Sequence, residues 1–190
     1  ICARGMEDLE NTATDIRSKT GRKVLAVQAD MGKPEDIKDL VAATVAEFGG
    51  VDIVVHSAGL AISKPLEETS EKDWELLQNV LVKGQFELAK QAVAIMRKQN
   101  LGGDFIAIAS KNGLVSGPNN VGYGTAKASQ QHMARLLAAE LGGDKIRVNT
   151  VNPDGVIVGS KIWEGAYGET VFADFLIDFM KKNKDEPMFL

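Results

Sequence analysis

The sequence predicts a doubly wound α/β fold, a parallel sheet covered by helices. Short apolar runs rich in β-branched residues alternate with longer stretches of helical periodicity. The runs are apolar throughout rather than alternating with polar residues, the pattern of strands buried on both faces. Glycine pairs and a proline punctuate the junctions.

Taken in order, Ile1-Cys-Ala3 running straight into Arg4 reads as the last residues of a strand. Met6, Leu9, Ala13 and Ile16 then mark one face of a helix over 6–19. Residues 23–29 read as the next strand. Pro34, Glu35 and Asp36 place a proline and two acids in the first turn of a helix that runs to Phe48 and stops at Gly49-Gly50. Residues 51–55 read as a strand. Trp74, Leu77, Leu81, Gly84 and Leu88 form one stripe of a long helix over 71–99, ended by Gly102-Gly103. A strand over 104–109, a helix over 122–141 and a strand over 146–151 follow. The start without Met and the apolar end Met188-Phe-Leu190 read as a piece of a longer chain, so 1–190 is expected to be one partial domain.

Composition excludes several classes. Hydrophobic residues make up 44% of 190 and charged residues 25%, which rules out wholesale disorder. No apolar run reaches the ~18 residues a membrane span needs. A net charge of −4 without a basic patch makes nucleic acid an unsuitable partner. One cysteine, Cys2, excludes an intrachain disulfide, so a reducing, cytoplasmic setting is the default. Two histidines and that cysteine are too few for a zinc site of their own, and no metal site is expected.

In a doubly wound sheet, ligands bind at the carboxyl ends of the strands. Those ends carry Arg4, then Asp30-Met31, then His56-Ser-Ala-Gly59, then Ser110-Lys-Asn112, then Asn152-Pro-Asp-Gly155. Small residues at so many of them let a ligand approach the backbone closely.

The sharpest local signal is Tyr123-Gly-Thr-Ala-Lys127 on a helix, where i and i+4 share a face. An ammonium beside a phenol favours the phenolate and draws its pKa down from about 10. Such a tyrosine exchanges a proton with an alcohol or carbonyl oxygen, and Ser110 at a strand end could bond the same oxygen. The hydride has to come from a cofactor, because no side chain carries one. A Tyr-xxx-Lys spacing alone is weak; its company makes it specific.

With these residues in place the sequence resembles the short-chain dehydrogenase/reductase family over about residues 1–165. Ser110, Tyr123 and Lys127 match the family's catalytic triad, with 13 residues from Ser to Tyr. His56-Ser-Ala-Gly59 resembles its Asn-Asn-Ala-Gly stretch, and Asp30 its adenine-contacting acid. Ile146-Arg-Val-Asn149 followed by Pro153 resembles the strand and turn that close over the nicotinamide. The resemblance implies a Rossmann-like sheet without its first strand and Gly-rich phosphate loop. It also implies an NAD(P)-dependent oxidoreductase acting on a secondary alcohol, polyol or sugar and its carbonyl. The cofactor residues it implies are Arg4, Asp30, Met31, Ser57, Ala58, Gly59, Tyr123, Lys127, Pro153 and Val156. Arg4 beside Ala3 favours NADP over NAD, the alternative being a solvated arginine. The family pairs its long helices across a subunit boundary, which implies a homodimer or homotetramer. A narrower resemblance, carried by Ile108-Ala-Ser-Lys-Asn112, Gly117-Pro-Asn-Asn120, Val151-Asn-Pro-Asp154 and Gly159-Ser-Lys-Ile-Trp163, is to the dehydrogenase part of bifunctional aldolase/dehydrogenases of deoxy-sugar catabolism.

The chain departs from the family at three places. The Gly-rich loop is missing before residue 1. The family's Asn in the long central helix falls on Leu81, and Asn79 lies roughly 200° away around a regular helix, so only a π-bulge or a register shift could bring it in. The family's Pro-Gly turn reads Pro153-Asp154, and its following Thr falls on Val158. These departures keep a second reading open, a non-catalytic scaffold. His56 reads as a spacer in the cofactor loop and His132 as a partly exposed helix residue. Trp74 and Leu81 read as packing or helix–helix contacts. Trp163 and Tyr167 read as a substrate lid or a hydrophobic contact, and 181–186 as a solvated charged face.

Overall fold

The computed structural model describes residues 1–153. The elements are β1 (Cys2–Ala3), α1 (Met6–Thr20), β2 (Val27–Gln28), α2 (Pro34–Phe48), β3 (Ile53–His56), α3 (Glu71–Leu77), α4 (Gly84–Gln99), β4 (Gly103–Ile108), α5 (Val121–Leu141) and β5 (Ile146–Val151). Every strand pairing among these residues is parallel, β1 with β2 and β3–β4–β5 in that order. Parallel neighbours need crossover connections, and helices supply them. α1 packs on β1 and β2, α2 on β2 and α4, α4 on β3 and β4, and α5 on β4 and β5. The expected α/β architecture is therefore present, and within each sheet the carboxyl ends share one edge. Asp154, Val156, Val158, Trp163, Tyr167 and 181–186 lie outside the described residues, as does the remainder of the expected 1–190 domain.

Helices appear where the periodicity predicts them. Gly21 closes α1 at φ 67° and Gly49 closes α2 at φ 86°, the left-handed conformation that glycine adopts without strain. Pro34 opens α2. Ser70 and Asp73 form a capping box at α3. Lys64 and Ser70 donate to the Asp73 carboxylate and hold it down to about 2.

Three expectations need correction. The helix over 71–99 is not continuous: Gln78–Lys83 is a π turn in which Gly84 N–H donates to Asn79 O, five residues back. It ends at Asn100, left-handed at φ 54°, before Gly102-Gly103, and Gly103 already belongs to β4. Asn tolerates that conformation, so the helix does not need the glycines to end it. Gly102 instead serves a close approach of two chain segments, since a Cβ there would sit 2.5 Å from Lys145 O. The strand over 23–29 shrinks to Val27–Gln28, because its partner β1 is only two residues long. The bonds Val27 N–H to Ile1 O and Ala29 N–H to Ala3 O extend the contact by one residue at each end. Finally, β4 buries Phe105, Ile106 and Ala107 on both faces, but β5 alternates buried and exposed, since among the described residues it is an edge strand backed by α5.

Phe105, Ile37, Met96, Leu141 and Ile146 lie in the main core. Asp104 and Arg147, register partners across β4 and β5, form an ion pair at 2.7 Å. A smaller cluster of Leu77, Leu81 and Ala126, with Leu60, Ile62 and Tyr123 against it, packs α3 and the π turn onto α5.

Candidate active site

The site grows from the carboxyl end of β4. Ser110 follows that strand in extended conformation, φ −169°, and opens the short turn Lys111–Gly113 by accepting from Asn112 N–H at 3.2 Å. The turn lies flat on α5. A Cβ on Gly113 would meet Gln131 Nε2 at 2.6 Å and the backbone of Lys127 and Ala128 at 2.8 Å, so only glycine fits there. This close approach fixes Ser110 relative to the helix that carries Tyr123 and Lys127.

Lys127 is buried and donates from Nζ to Ile108 O, the last residue of β4, at 2.9 Å. The same ammonium sits 5.6 Å from the centre of the Tyr123 ring. Burial pushes Lys127 down to about 8. The i, i+4 pair read from the sequence is thus assembled at a strand end, with its cation anchored on backbone. A Cβ on Gly59 would lie 3.6 Å from Leu81 Cδ2 and 4.0 Å from Lys127 Nζ, so the loop after β3 converges on the same place.

Leu81 is fully buried, while Asn79 is exposed. The π turn that could have rotated Asn79 inward is present, yet the buried position belongs to Leu81. Leu81 packs within its own chain on Leu77 and Ala126. Trp74 is 41% exposed.

The remaining residues singled out above lie further along the sheet edge. Arg4 is exposed after β1, its carbonyl bonded by Gln28 Nε2 at 2.8 Å. Asp30 caps its own turn: Oδ1 accepts from Gly32 N–H and its N–H donates to Asp36 Oδ2, each at 2.9 Å. Met31 is buried against the core, and its carbonyl approaches Gly84 so closely that a Cβ there would sit 2.5 Å away. Ser57 and Gly59 are exposed and Ala58 is half-buried after β3. Pro153 O accepts from Lys111 N–H at 3.1 Å, which ties the end of β5 to the Ser110 turn.

Sequence reasoning missed Gln85, Gln130 and Gln131 here and misplaced His56. Gln131, 2% exposed, donates from Nε2 to Ser110 O at 2.7 Å and Asn152 Oδ1 at 2.8 Å, joining the ends of β4 and β5. Gln85, Gln130 and His56 are equally buried, and His56 is packed core rather than a loop spacer. Burial, with the Lys127 charge adding to it, pushes His56 down to about 4. The spacing that paired Tyr123 with Lys127, carried one turn further, arrives at Gln131, so that signal was available. His132, by contrast, is exposed as expected, 3.3 Å from Arg135. Among the described residues no cluster of His, Cys, Asp or Glu is placed to hold a metal, and no helix is long and apolar enough to cross a membrane.

A parallel α/β sheet with a Tyr–Lys pair one helical turn apart at its carboxyl edge, flanked by a strand-end serine and small residues, defines the class of nicotinamide-dependent α/β oxidoreductases. Comparison with known proteins narrows that class. The family model described as enoyl-(acyl carrier protein) reductase matches residues 1–174. The chain is 40% identical over 174 residues to the uncharacterized oxidoreductase YuxG of Bacillus subtilis, covering 91% of this chain and 25% of that protein. It is 35% identical to D-threitol dehydrogenase of Mycolicibacterium smegmatis, covering 75% of this chain and 55% of the relative. Among solved structures, L-sorbose reductase from Gluconobacter frateurii, complexed with NADPH and L-sorbose, superposes with a TM-score of 0.77 at 32% identity, over 80% of this chain and 57% of that one. A short-chain type dehydrogenase/reductase from Mycobacterium marinum gives 0.77 at 30% identity, over 80% and 62%. The chain belongs to the short-chain dehydrogenase/reductase family. It spans a quarter to about half the length of these curated relatives.

Proposed function

We propose that the chain carries the catalytic edge of an NAD(P)-dependent oxidoreductase that interconverts a small polyol or sugar alcohol and its carbonyl. The observation that carries this is the Lys127 ammonium, fixed on Ile108 O and lying 5.6 Å from the Tyr123 ring, beside the turn that holds Ser110. The substrate class draws on relatives named for D-threitol and L-sorbose.

The residues present fit a nicotinamide nucleotide at this edge. Gly59 carries no side chain where the β3 loop meets Lys127, so the backbone stays open to a flat ring and its ribose. Ser57, Ala58 and Gly59 would line the ring, Lys127 and Tyr123 the ribose, Pro153 the far wall, and Asp30, Met31 and Arg4 the adenosine end. Arg4, exposed at the end of β1, favours the 2′-phosphate of NADP. The bound cofactor supplies or accepts the hydride.

The chain's own residues handle the proton and the geometry. Ser110 Oγ donates to the substrate oxygen and orients it. Tyr123 gives its hydroxyl proton to that oxygen in reduction and takes it back in oxidation. Lys127, positive below about pH 8, favours the phenolate and donates to the ribose. The exposed Phe86 on α4 and Leu136 on α5 would meet a second copy, giving a homodimer or homotetramer.

Leu81 in the buried helix position favours the rival reading, a scaffold without turnover. Tyr123→Phe in the intact protein separates the two. The expected result is a loss of alcohol oxidation by about 10²–10⁴ with unchanged circular dichroism. Full activity in Tyr123→Phe overturns the proposal, and absence of any turnover in the unsubstituted protein establishes the rival.

A further inference from the structure

We propose that His56, Gln85 and Gln130 form a buried hydrated seam beside Lys127, in which His56 is held as the Nε2–H tautomer and acts as a positioning residue. The three side chains come from β3, α4 and α5 and are 1%, 0% and 0% exposed. Gln85 Nε2 donates to Gln130 O at 3.1 Å, and Gln130 Nε2 lies 3.3 Å from His56 Nδ1. An amide nitrogen only donates, so Nδ1 accepts and the ring proton sits on Nε2.

Three buried atoms of these side chains then have no partner among the described residues: His56 Nε2, Gln85 Oε1 and Gln130 Oε1. They are one donor and two acceptors. Left dry, each is a buried polar group that has lost its hydrogen bonds to water. Bound water supplies the missing partners, accepting from His56 Nε2 and donating to the amide oxygens.

The seam reaches Lys127 through α5. Gln130 follows Lys127 by three residues, on the same helix face. Lys127 is the charged group that acts on the ring, and its positive charge opposes an imidazolium there. A neutral ring with a fixed acceptor at Nδ1 ties α5 to β3 without repelling the ammonium. Asn at position 56 would likewise be an uncharged donor and acceptor. The effect on Lys127 rests on the oxidoreductase reading; the tautomer and the water do not.

Long-range ¹H–¹⁵N spectra of the histidine rings in the 190-residue chain test this, with exposed His132 as the internal reference. His56 should show the neutral Nε2–H pattern alone from pH 8 to pH 5, with a cross-peak from that proton to bound water. An Nδ1–H pattern, a charged ring within that range, or no water cross-peak overturns the seam. Gln130→Met should convert the single tautomer into a mixture; an unchanged tautomer counts against the lock. In the intact protein, His56→Leu should lower kcat about tenfold or more at constant KM, and His56→Asn should restore most of it. An unchanged kcat in His56→Leu refutes the positioning role. Full activity in Tyr123→Phe would refute the catalytic reading and leave the spectra as they are.

Discussion

The two sheets are built in different ways at their carboxyl edges. At the β4–α5 end, side chains reach across the sequence: Lys127 bonds Ile108, Gln131 bonds Ser110 and Asn152, and Gln85 bonds Gln130. At the β1–β2 end, Asp30 bonds Gly32 and Asp36 within a few residues, the strands are two residues long, and Arg4 is exposed. The first end is preorganised by tertiary packing, as the proposed acid–base chemistry requires. The second is a local turn that a ligand could engage without disturbing the core.

The largest test of this contrast is pH. Below pH 6.5 the unfolded chain takes a proton on His56 before the folded chain does, so stability should fall as pH drops from 6.5 to 4, by about 3 kcal/mol at most. Lys127 acts at the other limit. From pH 8 to 10.5 the folded chain releases a proton that the unfolded chain keeps, which relieves the buried charge and raises stability by up to about 3 kcal/mol. Urea unfolding across both ranges should show the two slopes, flattened in His56→Asn and Lys127→Met respectively. Slopes that survive these substitutions would break the comparison.

Packing gives the next effect. Gly113→Ala should cost about 1–3 kcal/mol, because backbone on α5 cannot yield to the new methyl. Gly5→Ala, before α1 and with nothing within 4 Å of its Cβ, should change the midpoint by less than about 1 kcal/mol. Equal losses at both glycines would remove the distinction. Smaller still, Asp36→Ala should cost about 1 kcal/mol by leaving Asp30 N–H without its acceptor. The smallest is Arg4→Ala, within about 0.5 kcal/mol in stability. In the intact protein it should weaken NADPH more than NADH in a fluorescence titration, and equal weakening would sharpen the reading toward a solvated arginine.

The helices and the Tyr–Lys pair were legible because they rest on local periodicity. The cap at Gly49 and the opening at Pro34 follow from single-residue backbone preferences. Strand lengths were not legible, since β2 is set by a partner 25 residues away. Nor was the buried polar seam. Glutamine on a helix ordinarily faces water, and what turns Gln85, Gln130 and Gln131 inward is the packing of three elements that no window of sequence contains. The π turn was legible only as a condition, and the structure met the condition without delivering Asn79.

That turn also bears on how the chain tolerates changes of length. A π turn holds one residue more than the regular helix around it. Deleting a single residue within 78–83 would leave an unbroken α-helix whose two halves keep their faces, because the wide turn takes in its extra residue without extra rotation. Trp74 and Leu77 would keep their place against Gly122, and Gly84 its place against Met31. Sequences that lose this residue should therefore change only the side chains presented within 78–83, which makes the turn a natural joint for a one-residue insertion or deletion in the long helix.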